Sequence, residues 1–158
     1  HRVDRRQRQM CIRDRLGVDG VLVVDIPGEL SLKDYGIDNK DLDIISLVSP
    51  TTSKERIQRI AKNSSGFIYY VTLRGVTGSS NLDGNEIEQN IKYIKSISMT
   101  PVMAGFGIKT KDDAKLLSSF SDGIVIGSSI VELIHKNSEN KDFHEVSDYI
   151  STMKDAIR

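Results

Sequence analysis

Apolar residues along this chain follow two rhythms that alternate. Short, nearly unbroken runs stand at Val21-Leu-Val-Val24, Ile44-Ile-Ser-Leu-Val48, Phe67-Ile-Tyr-Tyr-Val71, Val102-Met-Ala104 and Gly123-Ile-Val-Ile126. Runs of this kind, without polar alternation, predict strands covered on both faces, as in a parallel sheet. Between them apolar residues recur at three- and four-residue spacing, which predicts amphipathic helices. Thr52-Ser-Lys-Glu55 reads as a capping box opening a helix with Ile57, Ile60 and Ala61 on one face, stopped by Asn63-Ser-Ser-Gly66. Asp83 and Glu86 cap a helix carrying Ile87, Ile91, Ile94 and Ile97, and Thr110 caps one with Ala114, Leu117 and Phe120 inward. Ser129 and Glu132 read as another capping box, opening a short helix through Ile134. Phe143, Val146, Tyr149, Ile150, Met153 and Ile157 fit one stripe of a terminal helix. Residues 30–43 have poor periodicity and contain Gly36, so only a short helix is expected there.

Strands that alternate with helices pair in parallel through right-handed crossovers. Two architectures satisfy that pattern: a five-stranded doubly wound sheet, or part of an eight-stranded barrel of about 250 residues. The turns after the last two strands discriminate. Gly105-Phe-Gly-Ile108 and Gly127-Ser-Ser129 each follow an apolar run and precede a helix. Glycine lets the backbone approach a ligand closely, and a helix start offers N–H groups at the positive end of a dipole, which suits an anion. Barrels commonly bind phosphate with the loops after their last two strands and the start of a short extra helix. The chain therefore reads as an incomplete TIM (β/α)8 barrel, roughly the last five βα units, with outer helices and a terminal helix closing the last unit.

Composition narrows the chemistry. Lys plus Arg equals Asp plus Glu, so the formal net charge is zero at pH 7 and no basic field points to nucleic acid. No apolar run approaches the roughly twenty residues of a membrane span, and no signal-peptide segment is evident, so a cytoplasmic protein without membrane contact is expected. Cys11 is the only cysteine, which excludes an internal disulfide and a multi-cysteine metal site; no metal-ligand spacing occurs, and no metal is expected. His135 and His144 fall on helices and read as surface residues. Lys109 lies past a turn rather than on a strand, which does not suit a Schiff-base lysine. Residues 1–15 stand apart: Arg2, Arg5, Arg6, Arg8, Arg13 and Arg15 mix with Gln7, Gln9, Asp4 and Asp14 without apolar periodicity. They are expected to be disordered or foreign to the gene, and residues 16–158 to form the domain.

Within that domain, Gly17-Val-Asp-Gly-Val-Leu-Val-Val-Asp25-Ile-Pro27, Gly66-Phe-Ile-Tyr-Tyr-Val71, Gly75-Val-Thr-Gly78, Gly105-Phe-Gly-Ile108 and Gly127-Ser-Ser-Ile-Val131 carry a family likeness. In order and spacing they resemble the C-terminal part of the alpha chain of tryptophan synthase. The resemblance implies a lyase of tryptophan biosynthesis that cleaves indole-3-glycerol phosphate to indole and glyceraldehyde 3-phosphate. It implies an α2β2 complex with a beta chain that carries the PLP, so that no cofactor belongs to this chain. It places the substrate phosphate at Gly78, Gly107, Gly127 and Ser128, with the amides of Phe106 and Ile108 nearby. The indole pocket falls on Leu22, Val24, Val48, Phe67 and Tyr69, and a mobile loop spanning residues 72–84 contributes Thr77. Asp25 and Pro27 correspond to a region near the partner contact. For Leu22, Val48 and Phe67, plain core packing competes with pocket lining.

The resemblance also departs from the family. The catalytic glutamate and the aspartate that holds the indole N–H sit on early strands there, before the stretch this chain matches. No catalytic residue is assigned here, and the chain alone is expected not to turn over. Two other readings stay open: another phosphate-binding barrel, such as a sugar-phosphate isomerase or epimerase, and a non-catalytic half-barrel that binds phosphate or docks a partner.

Overall fold

The computed structural model describes residues 17–30, 32–35, 42–72, 84–105, 107–139 and 142–157. Five strands form one parallel sheet: β1 (Gly20–Leu22), β2 (Asp43–Val48), β3 (Ile68–Val71), β4 (Val102–Gly105) and β5 (Gly123–Val125). Their spatial order is their chain order, β1-β2-β3-β4-β5. A doubly wound sheet reverses direction at a switch point, whereas a barrel adds each strand beside the last. The sequential order therefore selects the barrel.

Five α-helices accompany the strands among the described residues: α1 (Lys54–Asn63), α2 (Gly84–Ile97), α3 (Lys111–Ser118), α4 (Ser128–Asn137) and α5 (His144–Ala156). Among the described residues of 30–43 the short helix takes the form of a 3-10 turn, Leu32–Tyr35. Register sorts the strand residues into two faces. Ser46, Ile68 and Val102 align on one, as do Val48, Tyr70, Ala104 and Ile124. That face meets the helices: Val48, Ile68, Tyr70, Val102 and Ala104 are buried against Ile57, Ile60, Ile91, Ile94, Ala114 and Leu117 in one cluster. Burying an aliphatic side chain of this size stabilises by roughly 1.5–3 kcal/mol, so this layer supplies most of the hydrophobic drive. Tyr70 is fully buried, and its hydroxyl accepts a hydrogen bond from Asn90 Nδ2 at 2.9 Å, which satisfies the one polar atom it brings inside.

The opposite, concave face carries Leu22 beside Ile45, then Leu47, Tyr69, Met103 and Gly123 in one row, and Val71, Gly105 and Val125 in the next. Where a barrel is narrow its layers interdigitate, and two glycines make room here. A β-carbon on Gly123 would lie 2.6 Å from Met103 Sδ, and one on Gly105 would lie 2.5 Å from the Val125 carbonyl and 3.1 Å from the Tyr69 ring.

At the amino end of the sheet, Asp122 joins three elements. One carboxylate oxygen accepts from the Val102 amide at 2.8 Å, and the other receives Lys95 Nζ of α2 at 2.6 Å. The Asp122 amide in turn donates to the Val102 carbonyl at 2.8 Å, fixing the β4–β5 register from below. Burial raises the Asp122 pKa, but the hydrogen bonds from Lys95 and the Val102 amide outweigh it and hold the group below the ordinary aspartate range.

Several local expectations need correction. Ser53, not Thr52, caps α1: its side chain accepts the Arg56 amide, while Thr52 Oγ1 accepts the Ser49 amide at 3.0 Å and closes the turn after β2. Ser129 and Glu132 do not form a capping box, because α4 begins at Ser128 with Gly127 as its N-cap and Ser129 is already inside the first turn. That helix also runs on to Asn137. The stripe on α5 divides: Val146 and Met153 are buried, whereas Phe143, Ile150 and Ile157 are exposed. β1 ends at Leu22, so Val23 and Val24 belong to the following turn. The basic segment, residues 1–15, lies outside the described residues, as does Asp83.

Candidate functional site

The two glycine turns lie side by side because β4 and β5 are neighbours and both point their carboxyl ends the same way. Gly107 has a φ of 74°, the left-handed region that glycine adopts without strain. Its neighbour Ile108 is buried and anchors the turn in the core. Ser129 Oγ donates to the Ile108 carbonyl at 3.2 Å, tying the second turn to the first.

The start of α4 has unusual composition for a helix N-terminus. Gly127 offers no side-chain cap, and the first turn contains no acidic residue. A β-carbon placed on Gly127 would meet nothing within 4 Å, so neither internal crowding nor a positive φ calls for glycine there. What the missing side chain does is leave the helix start open to the outside. Gly127 and Ser128 are both exposed, as is Gly107. Backbone N–H groups at the positive end of a helix dipole, with the Ser128 hydroxyl beside them, form a set of donors suited to a phosphate. Gly78, Thr77 and Phe106, the remaining expected contacts of the phosphate and the loop, lie outside the described residues.

The expected indole-pocket residues take up different positions. Leu22 and Tyr69 stand on the concave face. Burial raises the pKa of the Tyr69 hydroxyl. Val48 packs into the helix-facing cluster, and the β2 residue beside Tyr69 on the concave face is Leu47. Strict alternation along a strand puts adjacent residues on opposite faces, so a one-residue difference decides which of the two faces a ligand. Phe67 immediately precedes β3, at the end of the sheet away from the glycine turns. Val24 is 74% exposed in the turn after β1, together with the exposed Asp25 and Pro27.

A cavity of about 470 Å³ opens at the carboxyl ends of β1, β2 and β3. Residues 24–28 form one wall, and Leu47, Val48, Ser49, Thr52, Arg56 and Val71 complete it. Val24, Asp25, Pro27 and Val48 thus meet around one space. Leu47, Ser49, Thr52 and Arg56 are additions that the motif reading missed; alternation from Tyr69 across the sheet would have found Leu47. For Arg56 the sequence held no signal, because its partner lies far along the chain. That partner is Glu29, whose carboxylate receives Arg56 Nε. The hydrogen bond from Arg56 is the largest influence on Glu29 and holds its carboxyl below the ordinary range.

Among the described residues no group of three or more His, Cys, Asp or Glu side chains is placed to hold a metal ion, and no helix is long and apolar enough to cross a membrane. His135 and His144 are exposed on α4 and α5.

Comparison with known proteins joins these features. The family model of the tryptophan synthase alpha chain matches residues 8–158. The chain is 42% identical over 144 residues to the tryptophan synthase alpha chain of Desulfatibacillum aliphaticivorans, covering 90% of this chain and 54% of that one. Against the alpha chain of Neisseria meningitidis serogroup B the identity is 39% over 150 residues, covering 91% and 55%. Among solved structures, the tryptophan synthase alpha chain of Legionella pneumophila superposes with a TM-score of 0.71 at 33% identity, over 89% of this chain and 52% of that one. A structure of the tryptophan synthase α2β2 complex from Pyrococcus furiosus matches with a TM-score of 0.71 at 26% identity, over 92% and 57%. The chain spans about half the length of the relatives it matches.

Proposed function

The chain belongs to the tryptophan synthase alpha chain family, and from that premise we propose that it is the phosphate-gripping part of a barrel lyase of tryptophan biosynthesis. The substrate is indole-3-glycerol phosphate, and the products are indole and glyceraldehyde 3-phosphate. The observation that carries this reading is the start of α4: a helix of ten residues with no side-chain cap, no acid in its first turn and open space in front of Gly127.

In this reading the dianionic phosphate sits at the amino end of α4, where backbone N–H groups and the dipole compensate its charge. Ser128 adds its hydroxyl, and we assign Gly107, whose left-handed backbone leaves room for a close approach, to the same group. Gly78 and the amides of Phe106 and Ile108 complete the grip. The indole ring lies toward the concave apolar surface of Leu22, Leu47 and Tyr69, and Thr77 is assigned as a further contact of the substrate. Val24 lines the rim cavity beside Leu47 on the indole side, and Asp25 and Pro27 lie where the beta chain docks and receives indole; pyridoxal phosphate chemistry belongs to that partner.

Retro-aldol cleavage needs a proton delivered to indole C3 and another removed from the side-chain hydroxyl, tasks for positioned carboxylates. We assign both to the family's early strands, outside residues 16–158, so the 158-residue polypeptide by itself binds without cleaving. Titration calorimetry with glycerol 3-phosphate tests the grip: saturable binding is expected, and its absence would overturn the reading. An assay of indole release from indole-3-glycerol phosphate tests the division of labour. Release above the buffer rate by this polypeptide would show that the acids are within it.

A further inference from the structure

The cavity at the rim has one wall that sheet pairing does not hold. Residues 25–30 have left β1 and belong to no strand or α-helix. Within themselves they make two tight turns, the Ile26 amide donating to the Val23 carbonyl at 3.2 Å and the Leu30 amide to the Pro27 carbonyl at 3.0 Å. Everything else that fixes them comes chiefly from α1. Arg56 binds the Glu29 carboxylate, and Asn63 Nδ2 donates to the Glu29 carbonyl at 2.5 Å. Gly28 lies so close that a β-carbon would stand 3.2 Å from Ile60 of α1 and 3.3 Å from Ser46 of β2. The Glu29 side chain is only 16% exposed, and its second oxygen is buried without a partner. A carboxylate so enclosed depends chiefly on Arg56, the one cation that hydrogen-bonds it, with Arg59 adding a weaker attraction, because losing Arg56 leaves a charge that water reaches poorly.

Arg56 has a second position in this arrangement. It lines the cavity itself, next to Thr52 and across from residues 24–28, while Leu47 connects that cavity to the concave face beside Tyr69. The guanidinium thus spans the helix, the loop and the space between them.

Building on the function proposed above, we propose that Glu29 and Arg56 are positioning residues: they latch residues 25–30 onto α1 and so set the width of the rim cavity that receives the aromatic end of the substrate. The phosphate grip at α4 stands on other strands and is independent of the latch. The pair contributes shape, and neither residue takes part in a proton transfer.

The test compares two ligands on the wild-type chain and on the variants Arg56→Ala, Arg56→Lys and Glu29→Gln. Glycerol 3-phosphate probes the phosphate grip alone, whereas indole-3-propanol phosphate, which cannot be cleaved, spans both regions. Calorimetry should show Arg56→Ala weakening the indole-bearing ligand about tenfold while leaving glycerol 3-phosphate unchanged. Arg56→Lys should recover part of that loss. Equal affinities in wild type and variants, or equal losses for both ligands, would overturn the latch. Wild-type chain that binds neither ligand would instead remove the functional reading and the latch with it, which separates the two failures. Thermal unfolding of each variant, followed alongside, shows whether a lost affinity accompanies a lost fold; an affinity loss for both ligands that tracks the melting temperature counts against the latch.

Discussion

The starts of α3 and α4 follow adjacent strands through glycine-bearing turns, yet they are finished in opposite ways. At α3, Thr110 Oγ1 accepts the Asp113 amide at 3.2 Å, and Asp113 Oδ2 accepts the amides of Thr110 and Lys109 at 3.0 and 3.2 Å. The helix thereby consumes its own first donors and places a carboxylate on its positive end. At α4 there is no side-chain cap and no acid in the first turn. Two strand–turn–helix units with the same outline thus differ in charge. An anion approaching α3 would meet Asp113, and one approaching α4 would meet donors. A glycine turn leaves the backbone free of a side chain, and the capping residues decide which charge the helix start presents.

The largest blow to this arrangement comes from the junction that sets both starts side by side. Replacing Gly105 with alanine puts a β-carbon 2.5 Å from the Val125 carbonyl, a backbone atom that cannot swing aside. Gly105→Ala should cost about 3 kcal/mol or more, and a larger residue still more. Urea unfolding followed by circular dichroism checks this, and an unchanged midpoint would show that the two strands separate more readily than their pairing indicates.

A smaller change should make α4 resemble α3. Gly127→Asp introduces a carboxylate into open space at an N-cap position, so it should leave the fold intact or stabilise it by about 0.3 kcal/mol. The same carboxylate should lower glycerol 3-phosphate affinity at least tenfold, about 1.4 kcal/mol of binding. Stability rising while binding falls, measured by thermal melting and calorimetry on one sample, is the expected pair of results. Retained affinity would remove α4 from the phosphate site.

The converse substitution strips the cap from α3. Thr110→Ala should cost about 1 kcal/mol of stability and leave phosphate affinity where it was, since α3 does not hold the ligand. Its partner Asp113 also predicts a weak pH dependence. Burial raises the Asp113 pKa, but the hydrogen bonds from Thr110 and Lys109 prevail and hold it below the ordinary aspartate range. Its contribution is therefore fully present above the aspartate pKa of the unfolded chain and fades as pH falls through the lower folded value. Unfolding midpoints measured from neutral pH into the acid range should fall less steeply for Asp113→Asn than for the wild-type chain.

Much of the fold was legible from local pattern. The five apolar runs became β1 to β5 with ends shifted by one or two residues, and Ala114 and Leu117 are buried on α3 as their spacing required, with Phe120 buried just past its end. The barrel reading rested on the two turns after β4 and β5, and the sequential strand order agrees with it. Within the site, the family likeness that names Val48 together with Tyr69 carries no strand register, and pairing across the sheet puts Leu47 on the face of Tyr69. Helix starts were read from matching residue types, and the type alone did not distinguish Ser53 from Thr52 or show that Ser129 was already helical.

The sequence by itself determined which segments are strands, which are helices and where glycine turns precede helix starts. Those properties follow from side chains within a few residues of one another, through period, propensity and φ. Only the tertiary structure decided the strand register, the face each residue presents and the join between Glu29 and Arg56. Each of these depends on register or contact between segments well separated along the chain, where local chemistry permits several partners and packing selects one.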